Sequence, residues 1–209
     1  NLSGVDAYDT DLTRSTPTAL SVARQALAGA SVGDYALFAG GYTGSYSNVV
    51  DAYDTNLTRS TPTALSTARA HLAGASVGDY ALFAGGEIAG GSKTATVDAY
   101  YTDLTRSTPT ALSVARYSFA ATSAGDYALF GGGHTGSGFT VVVDAYSSNL
   151  TRSTPNALSV ARSALTAASI DQYAFFAGGA NTGGNLSGVD AYDTDLTRST
   201  PTALSVARQ

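Results

Sequence analysis

The sequence predicts an all-β chain of propeller-type blades, four complete and one half, and three observations lead there. The string Val-Asp-Ala-Tyr occurs five times, at 5–8, 50–53, 97–100, 143–146 and 189–192, so one unit recurs about every 46 residues. Leu-Thr-Arg-Ser-Thr-Pro also occurs five times, from Leu12, Leu57, Leu104, Leu150 and Leu196. Asp-Tyr-Ala-Leu-Phe followed by a glycine doublet begins at Asp34, Asp79 and Asp126, with the variant Gln-Tyr-Ala-Phe-Phe from Gln172. A period of this size suits either a helical array or a four-stranded blade, and the contents of the unit decide between them.

Within residues 24–68 each element follows from its residues. Residues 26–32 form a short run of small side chains, and Val32-Gly33-Asp34 supplies a turn. Residues 34–41 are an aromatic and apolar run ended by two glycines. After a Gly/Ser/Asn loop, residues 48–54 alternate as a third strand, and Thr55-Asn56 makes the next turn. Residues 57–66 close the unit as a fourth strand, where Pro62 fits an outer edge. Nothing between breakers has helical length.

The unit resembles the kelch repeat. The residues that carry the resemblance are Arg24 at the start, the doublet Gly40-Gly41 and Val50-Asp51-Ala52-Tyr53. They recur from Arg69, Arg116 and Arg162, with Gly85-Gly86, Gly132-Gly133 and Gly178-Gly179. Membership would imply a β-propeller and little about chemistry. One departure is plain: the family usually carries a fourth-strand tryptophan, and this sequence has no Trp, with Arg59 and its equivalents nearest that place.

Starting each unit at its arginine divides the single domain, residues 1–209, into blades 24–68, 69–115, 116–161 and 162–209, preceded by a half-blade, 1–23. The second half of the last blade duplicates the start of the chain, since 1–25 and 185–209 are identical. An isolated two-stranded ribbon is marginal in water, so the additional half should pair with something. It could add to a neighbouring chain, begin an incomplete fifth blade, or belong to a longer array. Small residues in the innermost strands favour a four-bladed ring, with an incomplete five-bladed ring as the rival.

Differences between copies concentrate in the loops 42–48, 87–96, 134–142 and 180–188 and just after each leading arginine. Strand alternation brings both sets to one face, which is the face nominated for binding. The residues nominated are Tyr42, Tyr46, Glu87, Lys93, Tyr117, His134, Phe139 and Asn181. Aromatic side chains in Gly/Ser loops suit anchoring of a protein or sugar. Arg24, Arg69, Arg116 and Arg162 form a second candidate, a ring able to hold an anion, set against burial beside Asp6, Asp51, Asp98 and Asp144. The other arginine series (Arg14, Arg59, Arg106, Arg152, Arg198) reads as solvated.

Composition removes several functions. The 209 residues carry 11 basic and 16 acidic side chains, net charge -5, and Lys93 is the single lysine, so no basic footprint for nucleic acid exists. There is no cysteine and hence no disulfide, zinc-thiolate site or thiol nucleophile. No apolar run approaches a membrane span. The absence of Met, even at position 1, reads as a processed product or a piece of something longer. His71 and His134 are in different blades at non-equivalent positions, and Asp9-Thr10-Asp11 lacks the rest of a calcium loop. The reading is a non-enzymatic scaffold for a protein or glycan, without cofactor or metal, on a bacterial surface, outside the cell or on a virion. The alternatives are an assembly module joined into homo-oligomers by half-blade exchange and a reconstructed repeat propeller.

Overall fold

The computed structural model describes residues 2–209 and is a β-propeller arc. A short ribbon, β1 (Ala7–Tyr8) and β2 (Arg14–Ser15), comes first. The first blade holds β3 (Ala28–Val32), β4 (Tyr35–Ala39), β5 (Val50–Tyr53) and β6 (Arg59–Ser60). The second holds β7 (Ala73–Val77), β8 (Tyr80–Ala84), β9 (Val97–Tyr101) and β10 (Arg106–Ser107). The third holds β11 (Ala120–Ala124), β12 (Tyr127–Gly131), β13 (Val143–Ser147) and β14 (Arg152–Ser153). The fourth holds β15 (Thr166–Ile170) and β16 (Tyr173–Ala177), then a small ribbon of β17 (Ala180–Asn181) and β18 (Gly184–Asn185), then β19 (Val189–Tyr192) and β20 (Arg198–Ser199). Each blade is an antiparallel sheet in sequence order, with Ala28 opposite Ala39 and Val32 opposite Tyr35 in the first.

The core lies between blades. Val32, Leu37, Val50 and Leu65 of the first blade meet Leu72, Ala81, Phe83 and Tyr100 of the second. The same positions build the next two junctions, around Phe130 and Tyr146 and around Phe176 and Tyr192. Burying one such phenylalanine stabilises the fold by about 2 kcal/mol relative to leaving it in water. The second glycine of each doublet ties its blade to the next: Gly41 N–H donates to the Arg69 carbonyl at 2.9 Å. Gly40 sits at φ 70, and a Cβ there would stand 2.7 Å from that same carbonyl oxygen, so only glycine fits.

Near the axis one residue per blade continues the ties. His71 N–H donates to the Ala26 carbonyl, Ser118 N–H to His71 and Ala164 N–H to Ser118, at 2.9, 3.1 and 2.9 Å. All four residues are left-handed, with φ between 51 and 55.

Two expectations are corrected. The fourth strand, expected over 57–66, pairs only at Arg59–Ser60. Beyond it the chain leaves its own sheet for the next blade: the Thr63 carbonyl accepts from Tyr100 Oη at 2.7 Å and Ser66 N–H donates to Asp98 at 3.1 Å. Pro62 therefore lies past the paired residues. The preceding turn also differs, because Leu57 joins it at φ 60 while the Asp54 carboxylate accepts from Asn56 N–H and Thr58 N–H. Asp9 does the same for Asp11 and Thr13, so the Asp9-Thr10-Asp11 triplet is a turn.

The ring is not closed as a four-bladed disc. Among the described residues no strand pairing, core cluster or hydrogen bond joins the fourth blade to the first. The N-terminal half-blade instead lies on the outer part of the first blade, where Ser21 N–H donates to Asp51 and Tyr53 Oη to the Thr18 carbonyl. It is the start of an incomplete blade.

Candidate functional site

The glycine doublet releases each chain at the mouth of the arc, and a three-residue ladder forms there in every blade. The residue after the doublet pairs on one side with the residue after the leading arginine and on the other with the end of its own loop. In the first three blades the ladders are Gln25–Tyr42–Tyr46, Ala70–Glu87–Lys93 and Tyr117–His134–Phe139. In the fourth Ser163 pairs with Ala180, and Ala180 with Asn185. The two variable regions of the sequence are thus neighbours in every blade.

Seven of the eight nominated side chains form one continuous line across three blades. The Tyr42 and Tyr46 rings meet edge-on at 5.4 Å. Tyr46 Oη donates to Glu87 Oε1 at 2.5 Å, and Lys93 Nζ donates to Glu87 Oε2 at 2.7 Å. The Lys93 ammonium stands 4.4 Å from the centre of the Tyr117 ring, a cation–π contact. Tyr117 then meets His134 at 5.7 Å, and His134 meets Phe139 at 5.1 Å. All seven are half-buried, held by one another and open on one side. Asn181 stands apart, its Oδ1 accepting from Gly183 N–H in the fourth-blade ribbon.

Electrostatics within the line centre on Glu87. Hydrogen bonds from Lys93 and Tyr46 hold its carboxyl below the usual carboxylate range. The same hydrogen bond, with burial, pushes the Tyr46 phenol up to about 12. A cleft of about 360 Å³ opens between the first two ladders, lined by Gln25, Tyr42, Tyr46, Ala70, His71 and Glu87. His71 and Gln25 were not among the nominated residues. Both follow a leading arginine in sequence, and that position was the signal for them.

The arginine ring does not bind a free anion. The side chains of Arg24, Arg69, Arg116 and Arg162 are fully buried, each paired with the third-strand aspartate of its own blade. The partners are Asp51, Asp98, Asp144 and Asp190, at 2.8, 2.8, 2.7 and 2.6 Å. The series therefore ends on Asp190, and Asp6 belongs to the half-blade that has no inner arginine. Each guanidinium also donates to a second-strand carbonyl, as Arg69 does to Phe83 at 2.9 Å. The second series is likewise corrected. Arg106, Arg152 and Arg198 reach the other oxygen of those aspartates at 2.7 to 2.9 Å, with about a quarter of each side chain exposed. Arg59 is looser at 3.9 Å, and Arg14 alone is well solvated, 60% exposed. In the second, third and fourth blades this second arginine completes a clamp on the buried carboxylate.

Among the described residues no group of three His, Cys, Asp or Glu could hold a metal ion. No family model matches the sequence and no curated protein does. The chain is similar in structure to YjhT, with a TM-score of 0.76 and 13% identity over 95% of this chain and 75% of that one. That likeness concerns the fold alone: a β-propeller of repeated four-stranded blades.

Proposed function

We propose that this is a kelch-type, non-enzymatic recognition scaffold that engages a protein or a glycan through the mouth ladders of its first three blades. One observation carries the reading: side chains that differ in every copy form a single contact line, while the residues beneath them repeat. Tyr42, Tyr46, Tyr117 and Phe139 supply rigid faces of low entropic cost, and the Glu87–Lys93 pair supplies oriented polar groups. The cleft beside Tyr46 and His71 accepts one small projecting group, such as a single sugar ring or side chain.

A screen of glycans and surface proteins, run on the intact chain and on Tyr46→Ala and Tyr117→Ala, tests it. Ligands that bind the intact chain should lose at least about tenfold in affinity with either substitution, roughly what removing an aromatic anchor costs. A ligand bound equally by all three chains sits elsewhere and sinks the proposal.

A further inference from the structure

Two cavities open at the mouth of the arc and share one residue, His71, which is exposed between them. The first is the cleft between the first two ladders, where five of the six lining residues, Gln25, Tyr42, Tyr46, His71 and Glu87, carry side-chain hydrogen-bonding groups. The second, about 310 Å³, lies on the axis and is walled by Leu27, Leu72, Phe119 and Leu165, with Ser118 as its other polar side chain. His71 makes this mouth asymmetric. Its equivalents in the axial belt are Ala26, Ser118 and Ala164, so one position of four carries a large polar group. Its backbone is fixed from both sides, the N–H donating to the Ala26 carbonyl and the carbonyl accepting from Ser118 N–H. Its ring stands 6.2 Å from that of Tyr117, so it joins the contact line.

We propose that the two cavities form one site for a neutral hexose carrying an apolar substituent, the sugar ring in the cleft and the substituent in the axial cavity. This site rests on the recognition reading above and narrows its ligand from a protein or glycan to a glycoside. Charge selects the ligand. Glu87 is already neutralised by Lys93 at 2.7 Å, so the cleft offers no net attraction to an amine. Lys93 is engaged in turn, donating to Glu87 and to the Gly91 carbonyl at 2.6 Å with its charge against the Tyr117 ring. Among the described residues neither lining contains an arginine or a lysine, so an anionic ligand meets no free ammonium or guanidinium. Hydroxyl groups meet no such bar. Each Glu87 oxygen accepts one hydrogen bond and keeps a lone pair for a second, so the carboxylate takes two neighbouring hydroxyls. Gln25 and the His71 imidazole each add donors or acceptors. The C–H face of the sugar packs on tyrosine, and an aryl or alkyl group beyond it meets leucines and Phe119 instead of water. Tyr42 and Glu87 are paired on both sides, so neither offers an extended peptide a free backbone edge.

Two substitutions test the site with residues that the belt already carries. His71→Ala repeats Ala26 and Ala164, and Ser118→His repeats His71, all at φ between 51 and 55, so the fold should accept both. Methyl and phenyl glycosides of glucose, galactose and mannose are titrated into the intact chain by calorimetry. At least one pair should bind, the phenyl glycoside about tenfold tighter than the methyl one. Glucosamine and galacturonic acid should bind more weakly than their neutral parents. Ser118→His, which fills the axial cavity, should erase the phenyl advantage and spare the methyl glycoside, whereas His71→Ala should weaken both about tenfold. A charged sugar that binds as well as its neutral parent overturns the proposal. So does a phenyl advantage that Ser118→His leaves intact, or a His71→Ala chain that binds as the intact one does. If no glycoside binds while a protein found in the screen still loses affinity with Tyr46→Ala, the glycoside assignment falls and the scaffold reading stands. If neither class binds, both fall.

Discussion

Residues 1–25 and 185–209 have one sequence and two environments. Tyr192 is fully buried and Tyr8 is 64% exposed; the Asp190 side chain is fully buried and that of Asp6 is 54% exposed. Both copies form the same two-stranded ladder, Ala7 opposite Ser15 and Ala191 opposite Ser199. The difference lies in what precedes them. Residues 185–209 pair with β16 and receive Arg162, whereas residues 1–23 have no inner strands. Local sequence therefore specifies the hairpin, and the inner strands of the blade specify its burial.

The largest effect should separate the two aspartates. Asp190→Ala leaves Arg162 buried without its carboxylate and frees Arg198 and Ser159 N–H as well. Breaking such a pair from one side costs about 3–5 kcal/mol. Asp6→Ala removes an exposed contact of 3.4 Å to Arg14 and should stay within about 0.5 kcal/mol. Urea unfolding of both variants checks the contrast. Equal losses would mean that the half-blade is as deeply built in as the fourth blade.

A smaller separation is expected for the tyrosines. Tyr192 Oη donates to the Asn156 carbonyl at 2.7 Å, the tie that fastens the third blade's outer tail to the fourth. Tyr192→Phe keeps the ring and loses that bond, about 1 kcal/mol. Tyr8→Phe removes a hydroxyl on an exposed ring and should be neutral. Midpoints in the same urea series, at unchanged slope, read the difference.

These contrasts also mark what the sequence could disclose. The blades were legible because glycine doublets, the Gly33 turn and alternating Val-Asp-Ala-Tyr are local signals. The seven-residue contact line was legible as a list of positions that differ between copies, but its connectivity was not. Nothing in the spacing says that Tyr46 of one unit reaches Glu87 of the next, because loop length sets that contact. The outer arginines depart from the sequence expectation for a related reason. An arginine in an outer strand reads as solvated until the fold shows that an aspartate from the neighbouring strand lies behind it. Leu57 in a left-handed turn breaks the usual preference for glycine or asparagine. Leu12 takes nearly the same φ while 79% exposed, so the turn is held locally, by the Asp9 and Asp54 carboxylates that accept from its own N–H groups.

The smallest effect tests whether the variable mouth is separable from the constant frame beneath it. The carboxyl of Glu87 is held low by Lys93 first and Tyr46 second. A carboxylate whose folded pKa is depressed adds stability above its unfolded pKa, and that stability is lost as pH falls through the folded one. Glu87→Gln should therefore flatten stability across the acid side of the carboxylate range, by less than about 1 kcal/mol for a pair at the surface. It should also return the Tyr46 phenol from about 12 toward its ordinary value of 10.0. Ultraviolet titration of tyrosine ionisation, compared between the two chains, follows that one phenol. A change in the urea midpoint at neutral pH as large as that of Asp190→Ala would show that the line is part of the frame. A shifted phenol with an unmoved midpoint would show a mouth that can vary from copy to copy without disturbing the blades that carry it.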